Sequence, residues 1–163
     1  MAKNKEEKTN VMRVLEQKKI SYTAHTYPHE EGVAVDGVTV AKSMGFDPAI
    51  VFKTLVARGA SKQYYVFDVP VAENLDLKKA AKAVGEKSIE MIHQKELLPL
   101  TGYVHGGCSP VGMKKLFPTV FHSSAENLAA MIVSAGKIGY QVELAPHDLA
   151  ALVRAKFADI IVE

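Results

Sequence analysis

The sequence has a single cysteine, Cys108, among 163 residues. One thiol cannot form an intramolecular disulfide, so a disulfide-stapled extracellular framework is excluded and a reducing compartment is expected. The six histidines are scattered, and no group of cysteines and histidines has the spacing of a zinc site. We therefore expect neither a metal nor another cofactor.

Long apolar runs are also missing. The first eight residues carry mixed charges and no apolar stretch follows them, so we expect no secretory signal, no membrane span and a cytoplasmic location. The net charge is only +2, with 23% charged residues. A basic excess this small does not indicate nucleic-acid binding by itself, so any RNA contact must be local.

With 48% hydrophobic residues, the chain is long enough for one sizeable core and short for two. We expect one domain over residues 1–163, in which residues 1–8 form a flexible N-terminal tail. Periodicity and turn signals predict helices and strands in mixed order, with residues 50–70 as an antiparallel hairpin. Most neighbouring strands are joined by turns, which favours an α+β fold with a mixed, curved β-sheet surrounded by helices.

The predicted elements have the following bounds. Helices are expected at residues 10–18, 38–44, 76–84, 95–98 (stopped by Pro99) and 148–155, and strands at residues 20–27, 50–57, 64–70, 88–92, 118–122, 130–134 and 140–144.

The segment 101–115 combines four glycines and a proline between apolar segments. Such a backbone turns sharply and leaves amide groups uncovered, which suits an anion, a carbonyl oxygen or a developing oxyanion. It is not a nucleotide-binding P-loop, because Gly107 and Gly112 are followed by Met113 rather than by lysine and a hydroxyl residue. An ordinary surface turn is the open alternative.

Lys53 interrupts the apolar strand 50–57. Burying an unpaired ammonium is costly, so this lysine must either reach solvent or point into a polar pocket. The alternative to a functional role is the solvent face of an edge strand, where lysine discourages edge pairing.

Five segments together resemble the YbaK family of aminoacyl-tRNA deacylases, in the family's order and at similar spacing. They are residues 51–55 (VFKTL), 75–79 (LDLKK), 106–115 (GGCSPVGMKK), 134–137 (SAGK) and 156–160 (KFADI). The resemblance covers nearly the whole chain from Thr9. It implies a single-domain trans-editing enzyme, related to the insertion domain of bacterial prolyl-tRNA synthetase, that hydrolyses a wrong amino acid from tRNA.

The YbaK branch typically removes cysteine from proline tRNA, and sister branches remove alanine or other small residues. The implied partners are the 3′-terminal aminoacyl-adenosine of a mischarged tRNA and prolyl-tRNA synthetase. Because an aminoacyl ester is already activated, the chemistry requires placement and oxyanion stabilisation more than a strong nucleophile. Accordingly the chain has no Gly-x-Ser-x-Gly elbow and no evident triad.

By the same resemblance, a set of residues is expected to line the site. Lys53 and Gly106 are the expected catalytic residues, and Tyr27, Thr54, Gly107, Ser109, Pro110, Ser134 and Gln141 are expected to bind substrate. If cysteine is the amino acid removed, the resemblance implies attack by the substrate's own thiol. Cys108 is then a small apolar filler rather than the nucleophile.

Two positions depart from the family pattern. Ser134 opens Ser-Ala-Gly-Lys rather than the usual Ser-Gly-Gly-Lys, and Gln141 stands where the family carries an aspartate two residues before the glutamate, here Glu143. The second departure concerns how the substrate's ammonium is recognised or which amino acid is preferred, and Glu143 is the candidate to compensate. Three alternatives stay open: an Ala-tRNA(Pro) deacylase, a non-catalytic aminoacyl-tRNA or synthetase-binding module, and a small-molecule ester or thioester hydrolase.

Overall fold

The computed structural model describes residues 8–163, so the expected tail at residues 1–8 lies outside the described residues except for Lys8. The helices are α1 (Asn10–Gln17), α2 (Gly37–Ser43), α3 (Leu77–Val84), α4 (Gln94–Thr101) and α5 (Pro146–Val153), with 3-10 turns at Pro48–Ile50 and Ser123–Asn127. The strands are β1 (Thr23–Thr26), β2 (Phe52–Gly59), β3 (Tyr64–Pro70), β4 (Ile89–Met91), β5 (Thr119–His122), β6 (Met131–Ser134), β7 (Tyr140–Leu144) and β8 (Lys156–Ala158). None of the described helices is long and apolar enough to cross a membrane.

The strands form two sheets. The larger has the order β4-β2-β3-β5-β8 and mixes antiparallel and parallel pairs, while the smaller, β1-β7-β6, is antiparallel. A parallel bridge between Val51, the residue before β2, and Ile132 on β6 joins the larger sheet to the smaller one. The predicted α+β class, the mixed sheet and the antiparallel hairpin of β2 and β3 are confirmed.

Apolar side chains cover both faces of the larger sheet. The main core packs α1 and α5 against one face and includes Leu15, Phe121 and Leu149, which are fully buried. Phe67 and Val69 on β3 face a second core beneath α3. Because side chains alternate along a strand, β3 supplies both cores, which explains its nearly uninterrupted apolar sequence.

Polar residues at the helix starts fix where the helices begin. The Thr9 hydroxyl accepts a hydrogen bond from the Met12 N–H at 3.2 Å, and the Asp76 carboxylate accepts from two N–H groups in the first turn of α3. These side chains satisfy donors that have no partner within the helix. The predicted starts of α1 and α3 are therefore confirmed.

Two local predictions are wrong. Helix α4 does not stop at Pro99 but continues to Thr101. The Gly102 N–H donates to the Leu98 carbonyl at 2.9 Å, and the left-handed conformation of Gly102, with φ +86°, ends the helix there. Strand β8 was not expected, since Lys156–Ala158 shows no apolar alternation. It forms because its backbone pairs in parallel with β5.

Candidate active site

A cavity of about 350 Å³ opens where the two sheets meet. Six of the nine residues expected at the site line it: Tyr27, Lys53, Thr54, Gly106, Ser134 and Gln141. They come from distant parts of the chain, and the pairing of the strands brings them together. Ser134 lies opposite Gln141 in the β6–β7 ladder, and the Val51–Ile132 bridge sets β2 beside β6. The volume falls in the range typical of small-molecule sites.

Among residues 8–163, Lys53 is the one lysine that lines this cavity. Burial lowers the pKa of its ammonium group, and the charges of Asp36 and Glu73 partly offset that effect. Within the described chain no carboxylate lies within 4 Å of its Nζ atom. Lys53 pairs with Val69 on β3, whereas β4 pairs only with residues 57–59 of β2 and the Val51–Ile132 bridge lies two residues before Lys53. Its charge, unpaired within the described chain, suits an anionic or hydroxylic ligand group.

The glycine loop brings backbone donors to the cavity. The Gly107 N–H bonds the Val104 carbonyl at 2.9 Å, whereas the N–H groups of Gly106 and Cys108 have no acceptor in residues 8–163. Gly106 has φ +90°, and a Cβ atom there would lie 2.7 Å from the Ala34 Cβ atom. Only glycine fits this position, and the two unpaired donors beside it belong to residues that line the cavity.

Three residues predicted to bind substrate do not line the cavity. A Cβ atom on Gly107 would lie 3.0 Å from the Ile138 N atom, so this glycine allows close packing against the turn after β6. Ser109 is fully buried, and its hydroxyl accepts from the Val111 N–H at 3.2 Å. Pro110 is also buried. These residues shape the loop, because its sharp turn directs them into the core.

The polar groups on β1, β6 and β7 differ in how they are satisfied. The Ser134 hydroxyl accepts from the Gly136 N–H at 3.1 Å, whereas the Gln141 Oε1 atom is buried without a partner in the described chain. Glu143 bonds His25 Nε2 at 2.8 Å and does not line the cavity, so it does not compensate for the missing aspartate. An unpaired buried acceptor is unfavourable, which marks Gln141 as a place for a ligand donor.

Three residues at or behind the cavity wall were missed in the sequence. Asp36 and His105 are exposed residues that line the cavity. Asp68 lies on β3 behind the wall with no exposed surface, and burial raises the pKa of its carboxyl group to about 7. The sequence does contain a signal for Asp68, because a carboxylate inside the apolar strand 64–70 is as unusual as a lysine inside strand 50–57.

Cys108 lines the cavity with 8% of its surface exposed. Burial, together with the nearby charge of Asp68, raises the pKa of its thiol to about 12. Thiolate is the nucleophilic form, so this cysteine is nearly unreactive at neutral pH. Among residues 8–163, no three histidine, cysteine, aspartate or glutamate side chains are grouped to hold a metal ion.

Comparison with known proteins identifies the family of the chain. The model of the aminoacyl-tRNA editing domain matches residues 32–152, which include eight of the nine expected site residues. The chain belongs to this family. The editing-domain match confirms the resemblance found in the sequence motifs.

One relative of this editing domain is a protein of Enterococcus faecalis with the provisional name Cys-tRNA(Pro)/Cys-tRNA(Cys) deacylase EbsC. It is 46% identical over 161 residues, which cover 98% of each chain. The fold is also similar to solved structures. A crystal structure described as a trans-editing enzyme for prolyl-tRNA synthetase has a TM-score of 0.79 at 24% identity, covering 94% of this chain and 95% of the other. A second, of a hypothetical protein, has a TM-score of 0.82 at 18% identity, covering 93% of this chain and 99% of the other.

Proposed function

We propose that this editing domain removes cysteine from mischarged proline tRNA, with the thiol of the substrate as the nucleophile. One observation carries the proposal. The cavity joins a lysine, backbone donors and an amide oxygen that have no partner in residues 8–163, while the thiol of Cys108 is held neutral. Such a site can hold and polarise an ester but offers no ready nucleophile of its own. The name of the Enterococcus relative, which pairs cysteine with both proline tRNA and cysteine tRNA, supports a cysteinyl-tRNA as the substrate.

Each group in the cavity has a role in this proposal. The Lys53 ammonium binds a phosphate or hydroxyl group of the terminal adenosine, and Tyr27 orients the acyl group. The N–H groups of Gly106 and Cys108 stabilise the oxyanion that develops on the ester carbonyl. Gln141 Oε1, which is buried without a partner in the described chain, accepts a hydrogen bond from the substrate's ammonium group.

The reaction is then an intramolecular acyl transfer. The cysteinyl sulfur, as thiolate, attacks the carbonyl carbon, a carbon–sulfur bond forms, and the carbon–oxygen bond to the ribose breaks. The ribose oxygen takes up a proton, and the amino acid leaves as a cyclic thioester. The reacting atoms are held in one molecule, so the protein has to supply only orientation and charge stabilisation.

Recognition of the tRNA body is proposed to come from prolyl-tRNA synthetase. The net charge of +2 leaves few cations for phosphate contacts, which supply most of the affinity in RNA binding. A synthetase that already holds proline tRNA would deliver its 3′ end to the cavity. The editing domain itself would then need to recognise only the aminoacyl-adenosine.

The test compares initial deacylation rates for cysteinyl, seryl and alanyl forms of proline tRNA, with free aminoacyl esters as a control. We expect cysteinyl-tRNA to react much faster than its near-isostere seryl-tRNA, because a hydroxyl is a far poorer nucleophile than a thiol at neutral pH. It should also react faster than alanyl-tRNA, whose side chain has no nucleophile. A smaller side chain cannot be excluded by the walls of a pocket, so size alone would not give this order. Equal rates for alanyl-tRNA and cysteinyl-tRNA would show that external water is the nucleophile. Hydrolysis of free esters alone would indicate a small-molecule hydrolase, and no hydrolysis a binding module.

A further inference from the structure

Behind the cavity wall, three side chains lie in a row across the larger sheet. Thr54 on β2 is paired with Asp68 on β3, and Asp68 is paired with Phe121 on β5. Directly paired residues share one face of a sheet, here the face that supports the glycine loop. Thr54 lines the cavity, whereas Asp68 is completely buried behind it.

One hydrogen bond links this row to the cavity. The Thr54 hydroxyl donates to the Asp68 Oδ1 atom at 2.5 Å, and Asp68 Oδ2 has no partner in the described chain. An ionised carboxylate can only accept, so the single hydroxyl proton of Thr54 is committed to Asp68. The remaining lone pairs of the Thr54 oxygen are then available to the cavity as acceptors.

We propose that Asp68 is a positioning residue that makes Thr54 a hydrogen-bond acceptor for the ammonium group of the substrate, which has three N–H donors and can bond Thr54 as well as Gln141. The inference rests on the proposed function, because it needs a substrate that carries a donor at this place. When Asp68 takes up a proton, its carboxyl group donates to Thr54 instead and the Thr54 hydroxyl turns toward the cavity. Two donors then face each other, and the substrate is held less well. The ionised form of Asp68 is therefore the productive one.

The surroundings of Asp68 place its change of protonation near neutral pH. Phe121 on β5 and the β3 neighbours Phe67 and Val69 are apolar, and Thr54 on β2 does not titrate in this range. From the glycine loop, the Cys108 thiol is the titratable group that interacts with Asp68 in the described chain. That thiol stays neutral, with a pKa raised to about 12. Lys53 takes its charge interactions from Asp36 and Glu73. Burial raises the pKa of Asp68 to about 7, and the hydrogen bond from Thr54 acts in the opposite direction.

The main experiment compares Asp68→Asn with the wild type. Asparagine still accepts the Thr54 proton through its amide oxygen, but it does not titrate, so Thr54 remains an acceptor at every pH. With kcat/KM for cysteinyl-tRNA measured from pH 6 to pH 8, the ratio of wild type to variant should rise about tenfold across this range, because a carboxyl group with a pKa of about 7 goes from about 9% to about 91% ionised. Taking the ratio removes the titration of the substrate's own groups.

A matched control distinguishes positioning from a structural effect. Glu90→Gln also neutralises one carboxylate, but on exposed β4, so its ratio to the wild type should not change with pH. A ratio for Asp68→Asn that is equally flat would overturn the proposal, whatever the size of the rate change. If Asp68→Asn does not fold, Thr54→Val and Thr54→Ser replace it. The ratio of kcat/KM between the wild type and Thr54→Val should change with pH. Thr54→Ser keeps the hydroxyl and should restore the wild-type pH profile.

A second measurement is independent of activity. Carbon NMR of the carboxyl groups reports the pKa of Asp68 directly, and Thr54→Val should raise it, because the lost hydrogen bond favoured the charged form. An unchanged pKa would overturn the coupling between Thr54 and Asp68. A wild-type protein that deacylates no charged tRNA would refute the proposed function instead, and the NMR titration would still decide whether Asp68 controls Thr54.

Discussion

The Lys53→Met substitution removes the ammonium group from the cavity and keeps a side chain of similar length. Lys53 is partly buried, has no carboxylate partner within 4 Å in residues 8–163 and lines the cavity, so its loss breaks no ion pair in the fold. Removing one positioned charge or donor from a transition state typically raises the barrier by about 2.7–4 kcal/mol. Partial exposure weakens the interaction, so we expect the lower end of that range, about a hundredfold loss of kcat/KM.

The stability of the same variant should change in the opposite direction. Burial lowers the pKa of Lys53, which means that the charged form is less favourable in the folded chain than in the unfolded chain. This destabilisation is fully present at pH values below the folded pKa, declines as the pH rises past it, and is gone above the unfolded pKa. Methionine carries no charge, so the Tm of Lys53→Met at pH 7 should equal or exceed that of the wild type.

Deacylation of cysteinyl-tRNA and thermal unfolding, measured on the same preparations, test both expectations. Lys53→Arg is the matched control, because it keeps the charge while changing its shape, and it should retain more activity than methionine. Near-wild-type activity in a folded Lys53→Met protein would refute the assignment of the site. A large fall in its Tm would show instead that the lysine serves the fold.

The glycine loop, Gln141 and tRNA binding can be probed in the same assays. Gly106→Ala should reduce kcat/KM by about a hundredfold or more, because φ is +90° and the new Cβ atom would lie 2.7 Å from the Ala34 Cβ atom. Cys108→Ala keeps the backbone N–H group and should retain most activity. The reverse result would indicate covalent catalysis. Gln141→Asp should lower KM for cysteinyl-tRNA by supplying a charge for the ammonium. It should also lower the stability of the free protein by about 1–3 kcal/mol, because the new carboxylate would be buried where Oε1 finds no partner in the described chain. An unchanged KM would place the ammonium elsewhere. Binding of tRNA by the isolated chain should be weak and only shallowly salt-dependent, given the net charge of +2, and titrations at several salt concentrations would contradict this if the slope were steep.

Lys53 shows what can be predicted from the sequence alone. A charged residue inside an apolar strand conflicts with its local environment, and such conflicts often mark functional positions. Asp68 presents the same conflict in the neighbouring strand but was passed over, because nothing local shows that β3 places it behind Thr54. That relation depends on strand register, which links residues 14 positions apart.

The glycine loop shows what the composition of a segment cannot predict. Its composition predicts sharp turns and exposed amide groups, and the unpaired N–H groups of Gly106 and Cys108 agree with that. Composition does not specify which side of a loop faces the cavity, so Ser109 and Pro110 were expected at the cavity and are instead buried in the core. Family motifs located Tyr27, Ser134 and Gln141, which no periodicity would have joined, because the contacts between them are long-range.

The pairing of β1 with β7 has a consequence for when the cavity exists. His25 and Glu143, which bond across this ladder, are 118 positions apart in the chain. In the unfolded chain, bringing together two segments that far apart costs about 4 kcal/mol of loop-closure entropy, so we expect this ladder to form late in folding. Strand β1 also has only four residues, whereas β2 and β3 have eight and seven. We therefore expect the short strand that leads to Tyr27 to open at lower free energy than the β2–β3 hairpin. Under mild denaturation the cavity should disappear before the fold does.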